Sequence, residues 1–142
     1  MPLKYESQLS LLKNCPPNSA SAQDRDSWRF VFHPMGPESF VPVELLNKAR
    51  HRTGDPRTKR KECCSGWGLS MFDTSAQAMA KFSKLASSIP NIKARVGTHL
   101  AFARLTALHG ISTASNADGH FDLHPESNAV LHGVFSIQSV LP

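Results

Sequence analysis

The sequence predicts an α+β fold: a mostly antiparallel sheet, continuous or split, with one main helix over about residues 74–88 and short extra helices. Three observations carry this. Trp28–Phe32 is a run of aromatic and β-branched residues, the composition of a strand. Thr74 and Gln77 form a capping-box pattern, and Ala78, Met79, Phe82, Leu85 and Ala86 form an apolar stripe at helical spacing. His120–His124 alternates strictly, with Phe121 and Leu123 on one face and His120, Asp122 and His124 on the other.

The elements follow in order. Residues 1–27 contain a short amphipathic piece and then NCPPNSASAQDRDS, rich in Pro, Ser, Asn and Asp, which reads as a flexible arm. A single domain is expected over 28–142. His33-Pro34 stops the first strand, and MGPES is a turn. Phe40–Val43 reads as a short edge strand because Pro42 cannot donate to a ladder. A short helix is expected over 44–50. Ser65–Gly68 is a tight segment before an extended piece at Leu69–Phe72. Ile89-Pro90 ends the main helix. Ile92–Leu108 reads as one long strand, or a strand with a bulge at Gly97, with a helix over Leu100–Leu108 as the alternative that Gly97-Thr98 disfavours. Pro125–Gly133 reads as a short helix, and Val134–Val140 as the last strand.

Composition limits the function classes. The formal charge is +5, but seven cations and one acid lie between Lys48 and Lys61, so this loop alone carries +6 and the rest is almost neutral. No apolar run approaches the roughly 20 residues that span a bilayer. The start lacks a signal-peptide h-region, so a cytoplasmic location is expected, with no membrane partner. Cys15, Cys63 and Cys64 are odd in number, and two are adjacent; they read as thiols rather than a disulfide framework. P-loop, dinucleotide-glycine, G-x-S-x-G and H-E-x-x-H motifs are absent.

WGLSMFDTSAQAMAKF, residues 67–82, resembles the second motif of ADP-ribosyltransferase-like domains. In that family a strand carrying a hydroxyl leads into a helix of A-x-x-F type packed on a split sheet. A first strand bearing Trp28 and Arg29 precedes it and further strands follow, in rough agreement with the family's element order. The resemblance implies NAD, or a related nucleotide, bound between sheet halves by a transferase. Arg29 or His33 would grip the ligand, Ser70 would orient the ribose, and Trp67 would belong to the same binding set. His120, His124 or Glu126 would stand near the reacting bond. The family's Q/E-x-E third motif is missing, and Glu126 is the acid nearest its place.

Two other constellations give alternative readings. Arg57, Lys59, Arg60 and Lys61, in the 48–61 loop, suit phosphate contacts in an RNA, DNA or nucleotide partner, or a protein interaction module. The loop lacks the interleaved aromatics of a base-stacking surface. His120, Asp122 and His124 have the residue types of a two-histidine, one-carboxylate metal centre. Same-face strand neighbours lie about 7 Å apart, however, so a solvated polar face is the simpler reading.

Overall fold

The computed structural model describes residues 2–49 and 63–142. The basic segment expected at 48–61 falls, from Arg50 on, outside the described residues, and so do its four phosphate-contact candidates.

Six strands form one antiparallel sheet: β1 (Arg25–Val31), β2 (Leu69–Phe72), β3 (His99–Leu105), β4 (Gly110–Ser112), β5 (His120–Pro125) and β6 (Ser136–Val140). Their order across the sheet is β4-β5-β2-β1-β3-β6. The helices are α1 (Glu6–Leu9), α2 (Val43–Ala49), α3 (Cys64–Trp67), α4 (Ser75–Ser88) and α5 (Ile92–Val96). The expected α+β class with one main helix is therefore the observed one.

Pleat alternation gives each sheet face its own core. One face presents Val31, Leu69, Met71, Ala101, Ala103, Phe121 and Leu123, closed over by Phe40, Ala129, Leu131 and Phe135. On the other, Phe72 and Leu100 pack beneath Ala78 and Phe82 of α4 and Ile92 of α5, with Trp28 and Phe30 alongside. Each large apolar side chain buried this way contributes about 1.5–3 kcal/mol. The helix signal is confirmed in detail. Thr74 Oγ1 accepts a hydrogen bond from the Gln77 backbone N–H at 3.1 Å, which caps α4. Ala86, assigned to the apolar stripe, is exposed.

The center of the sheet is weakly laddered. β1 runs along β3 through seven paired residues, but meets β2 at one register only, Trp28 with Phe72. Two arginines of β1 flank that pair. Arg25 Nη2 contacts Asp73 Oδ1 at 2.7 Å, Arg25 Nη1 donates to the Thr113 carbonyl at 2.9 Å, and the guanidinium lies 3.5 Å from the Phe121 ring centroid. Arg29 Nη1 donates to the Ser70 carbonyl at 2.8 Å, where a ladder bond would otherwise run.

Several expectations are corrected. Phe40–Val43 is no strand: Pro37–Phe40 is a 3-10 turn, and α2 starts at Val43, with Leu46 N–H donating to the Pro42 carbonyl. Ile92–Leu108 is not one strand. Asn91, at φ 57°, turns the chain into α5, and Gly97, at φ 137°, redirects it into β3. A side chain at Gly97 would run into the Val31 backbone. The bulge lies instead between Leu100 and Ala101, on the β6 side of β3. No α-helix follows Pro125; a 3-10 turn at Leu131–Gly133 precedes a last strand that starts only at Ser136.

The N-terminal stretch expected as an arm packs on the domain. Residues 25–27 belong to β1, and Leu9 is buried. Lys4 N–H donates to the Pro125 carbonyl, and Cys15 forms a disulfide with Cys64. The reading as thiols is thus overturned for Cys15 and Cys64 and holds for Cys63, which is outside the disulfide. Their spacing says nothing of the 49-residue separation that the fold closes.

Chain-entropy arguments make a bridge of this span worth up to ~4 kcal/mol. Non-reducing peptide mapping should recover a Cys15–Cys64 linked peptide, and Cys15→Ser should lower the denaturant midpoint accordingly. A Cys15–Cys63 linkage, or no linkage, would contradict the assignment.

Candidate functional site

The β1–β2 ladder stops at Trp28 and Phe72, and a cleft of about 270 Å³ begins where it stops. Phe30, Phe72, Ser70 and His120 line it from the sheet. Lys81 and Leu85 of α4 with Arg95 and Val96 of α5 line it from the helices. Arg29, Phe32, Glu38, Ser39 and Val41, Val43 and Leu46 of α2, and Ser65 and Gly68 also line it. The volume is close to the lower end for small-molecule sites, and the lining combines apolar walls with a few polar groups, as such sites require.

Strand register explains why the polar groups meet. Ser70 pairs with Asp122 and Phe72 with His120, so Ser70, Phe72, His120 and Asp122 share the α4 face of the sheet. Ser70 Oγ and His120 Nε2 are hydrogen-bonded at 3.0 Å. Asp122 Oδ1 lies 3.8 Å from the same His120 nitrogen. Burial raises the Asp122 carboxyl above its ordinary pKa, and the neighbouring His120 partly offsets this. In a relay triad the carboxylate would hold the imidazole's other nitrogen. Here both partners crowd Nε2, so the cluster is a hydrogen-bonding platform rather than a machine for activating Ser70.

Arg29 belongs to the opposite face by alternation and reaches the cleft through the opening in the sheet. Its Nε donates to the Ser39 carbonyl at 3.0 Å and its Nη1 to the Ser70 carbonyl at 2.8 Å. Burial pulls its pKa down to about 10, which leaves it cationic at neutral pH. Both contacts are to the chain's own backbone. Arg29 therefore shapes the cleft before it can grip anything in it.

The structure brings Arg29, Ser70 and His120 together and leaves the other candidates elsewhere. His33 is exposed, with its ring 4.9 Å from that of His99, outside the lining. Trp67 is wholly buried beside Tyr5 and is a core residue, not a ligand contact. Glu126 is buried and turned onto its own loop, where it accepts from the Asn128 N–H at 2.7 Å. His124 is 1% exposed, and both ring nitrogens lack a hydrogen-bond partner. Thr74 is occupied as the α4 cap. Among the described residues no three His, Cys, Asp or Glu side chains are arranged to hold a metal ion, so His120, Asp122 and His124 do not converge.

The two glycines of the tight segment Ser65–Gly68 also find their reason. Neither has a positive φ; both permit close approach. A side chain at Gly66 would meet Glu44 of α2, and one at Gly68 would meet Asp122 and His124. Sequence reasoning missed Phe30 and Phe72 as cleft residues, and Lys81, Arg95 and Glu38 altogether. The alternation of Trp28, Phe30 and Phe32 against Arg29 and Val31 was the available signal for the first. Nothing local marks Lys81 or Arg95, because only the packing of α4 and α5 puts them on one rim.

His124 gives a pH test. Burial lowers its pKa, so the folded state resists the proton that the unfolded chain accepts. Stability should therefore fall as pH drops below about 6.5. His124→Leu removes two unsatisfied buried nitrogens and should flatten this dependence at little or no cost in stability at pH 7.5. Chemical denaturation across pH 5–7.5 would read it; identical slopes for both proteins would contradict the assignment.

Compared with known proteins, the chain matches no family model, no curated protein and no solved structure.

Proposed function

We propose that the cleft binds a nucleotide of the NAD type, and that the protein is an ADP-ribosyltransferase-like enzyme. The observation that carries the reading is that Arg29, Ser70 and His120, drawn from β1, β2 and β5, line one opening in the sheet. The lining fits such a ligand in three respects. Phe30, half-buried and backed by the buried Phe72 ring at 5.6 Å, offers an aromatic surface to a planar base. Ser70 and His120 offer a hydroxyl and an imidazole to ribose hydroxyls. Lys81 and Arg95 supply positive charge for phosphates.

When bound, NAD would supply an activated glycosidic bond. The chain's part is to hold and orient it. Ser70 and His120 fix the sugar, while Arg29, by holding the Ser70 carbonyl, fixes Ser70 itself. His124 and Glu126 take no part in this reading, because one is buried away from the lining and the other serves its own turn. The Cys15–Cys64 disulfide favours an oxidising compartment over the cytoplasm expected from the sequence. No helix among the described residues is long and apolar enough to cross a membrane.

Isothermal titration with NAD and with ADP-ribose should show one site per chain. Ser70→Ala and His120→Ala should each weaken binding by roughly 5- to 10-fold, the worth of one lost hydrogen bond. No binding to the wild-type protein, or unchanged affinity in both variants, would overturn the proposal.

A further inference from the structure

We infer that Lys81 of α4 and Arg95 of α5 form a phosphate-binding rim, so that the cleft selects ligands carrying a phosphate or diphosphate beside a ring. The inference rests on the nucleotide reading above and deepens it, by making the positive charge of Lys81 and Arg95 the feature that selects phosphate-bearing ligands over uncharged ones.

Charge and geometry together lead there. Among the described residues the cleft lining holds three basic side chains, Arg29, Lys81 and Arg95. Arg29 is committed: Nε and Nη1 already donate to the Ser39 and Ser70 carbonyls. A phosphate would have to compete with those bonds. Lys81 and Arg95 differ in every respect. Both are exposed, and neither makes a hydrogen bond or ion pair with a described residue. They come from different helices, yet both line the same cleft.

Each rim cation also has an apolar neighbour in the lining. Leu85 lies one turn after Lys81 on α4, and Val96 follows Arg95. The mouth therefore pairs apolar wall with cationic heads, which suits a ligand having a ring at one end and a phosphate at the other. The acid of the lining, Glu38, does not neutralise the pair. A side chain added at Gly36 would meet the Glu38 carboxylate within 3 Å, so that group is folded back over its own turn. Two basic side chains with no ion pair among the described residues suit a dianion better than a single carboxylate, and arginine's planar fork can take two phosphate oxygens at once.

The test uses three related probes on the full chain: nicotinamide riboside, nicotinamide mononucleotide and NAD. They carry no phosphate, one phosphate and a diphosphate. Each is titrated into wild type, Lys81→Gln, Arg95→Gln and the double variant, with thermal unfolding as a check that these surface changes leave the fold intact. Wild type should bind NAD and the mononucleotide more tightly than the riboside. Each single substitution should weaken NAD roughly tenfold and leave the riboside unchanged. The double variant should also lose most of the salt dependence of NAD binding. NAD binding that survives undiminished in the double variant would overturn the rim while leaving the nucleotide reading in place. Equal weakening of riboside and NAD would also overturn it, since the loss would then not be of phosphate contacts. A wild-type protein that binds none of the three would end both.

Discussion

The join between β1 and β2 is the constraint on which the rest of the structure depends. Two central strands share a single backbone pair, Trp28 with Phe72, and two arginines of β1 span the remainder. Arg25 closes one side by binding Asp73 and stacking on Phe121, which ties β1 to the turn that launches α4. Arg29 holds the other side at the Ser70 carbonyl without sealing it. A continuous ladder would leave no room between the strands. A guanidinium used as a strut keeps them apart while satisfying the backbone group that the missing ladder strands. The cleft is therefore a product of how the sheet is held together, and not of a loop laid on top of it.

The same constraint determines which side chains the cleft can use. Antiparallel pairing of β2 with β5 puts Ser70, His120 and Asp122 on one face, and the opening beside β1 exposes the first two. Crowding of Ser70 and Asp122 around a single imidazole nitrogen favours binding hydroxyls over generating a nucleophile. Packing of α4 and α5 on that face adds Lys81 and Arg95 to the lining. Beneath Gly68, His124 is held without partners by the close approach of β2 to β5, a polar group retained at a cost in stability.

Much of this could be read along the chain wherever one element decided the matter. Leu69–Phe72 as an extended piece, Thr74 as a cap and the alternation at His120–His124 all rest on local patterns, and all hold. Residues 69–88 were legible as strand-then-helix for that reason. What failed were features fixed by distant partners. Gly66 and Gly68 mark only a tight segment until Glu44, Asp122 and His124 are seen to press against them. Ile92–Leu108 is apolar enough for one strand, and only Asn91 in the left-handed region and the approach of Gly97 to Val31 divide it. Cys15 finds Cys64 through the docking of the N-terminal stretch, which no spacing encodes. For the site, motif reasoning named Arg29, Ser70 and His120, which share one strand junction. It also named Trp67 and Glu126, whose burial comes from contacts far along the chain.

The central claim is that the opening between β1 and β2 is a nucleotide site, and amide chemical shifts during a titration of isotope-labelled protein with NAD test it most directly. The account predicts saturable shifts concentrated at Phe30, Ser70, Phe72, His120 and the adjoining turns of α4 and α5, with little change at His33, Trp67 or Glu126. Shifts confined to residues away from the cleft, or none at saturating NAD, would contradict it.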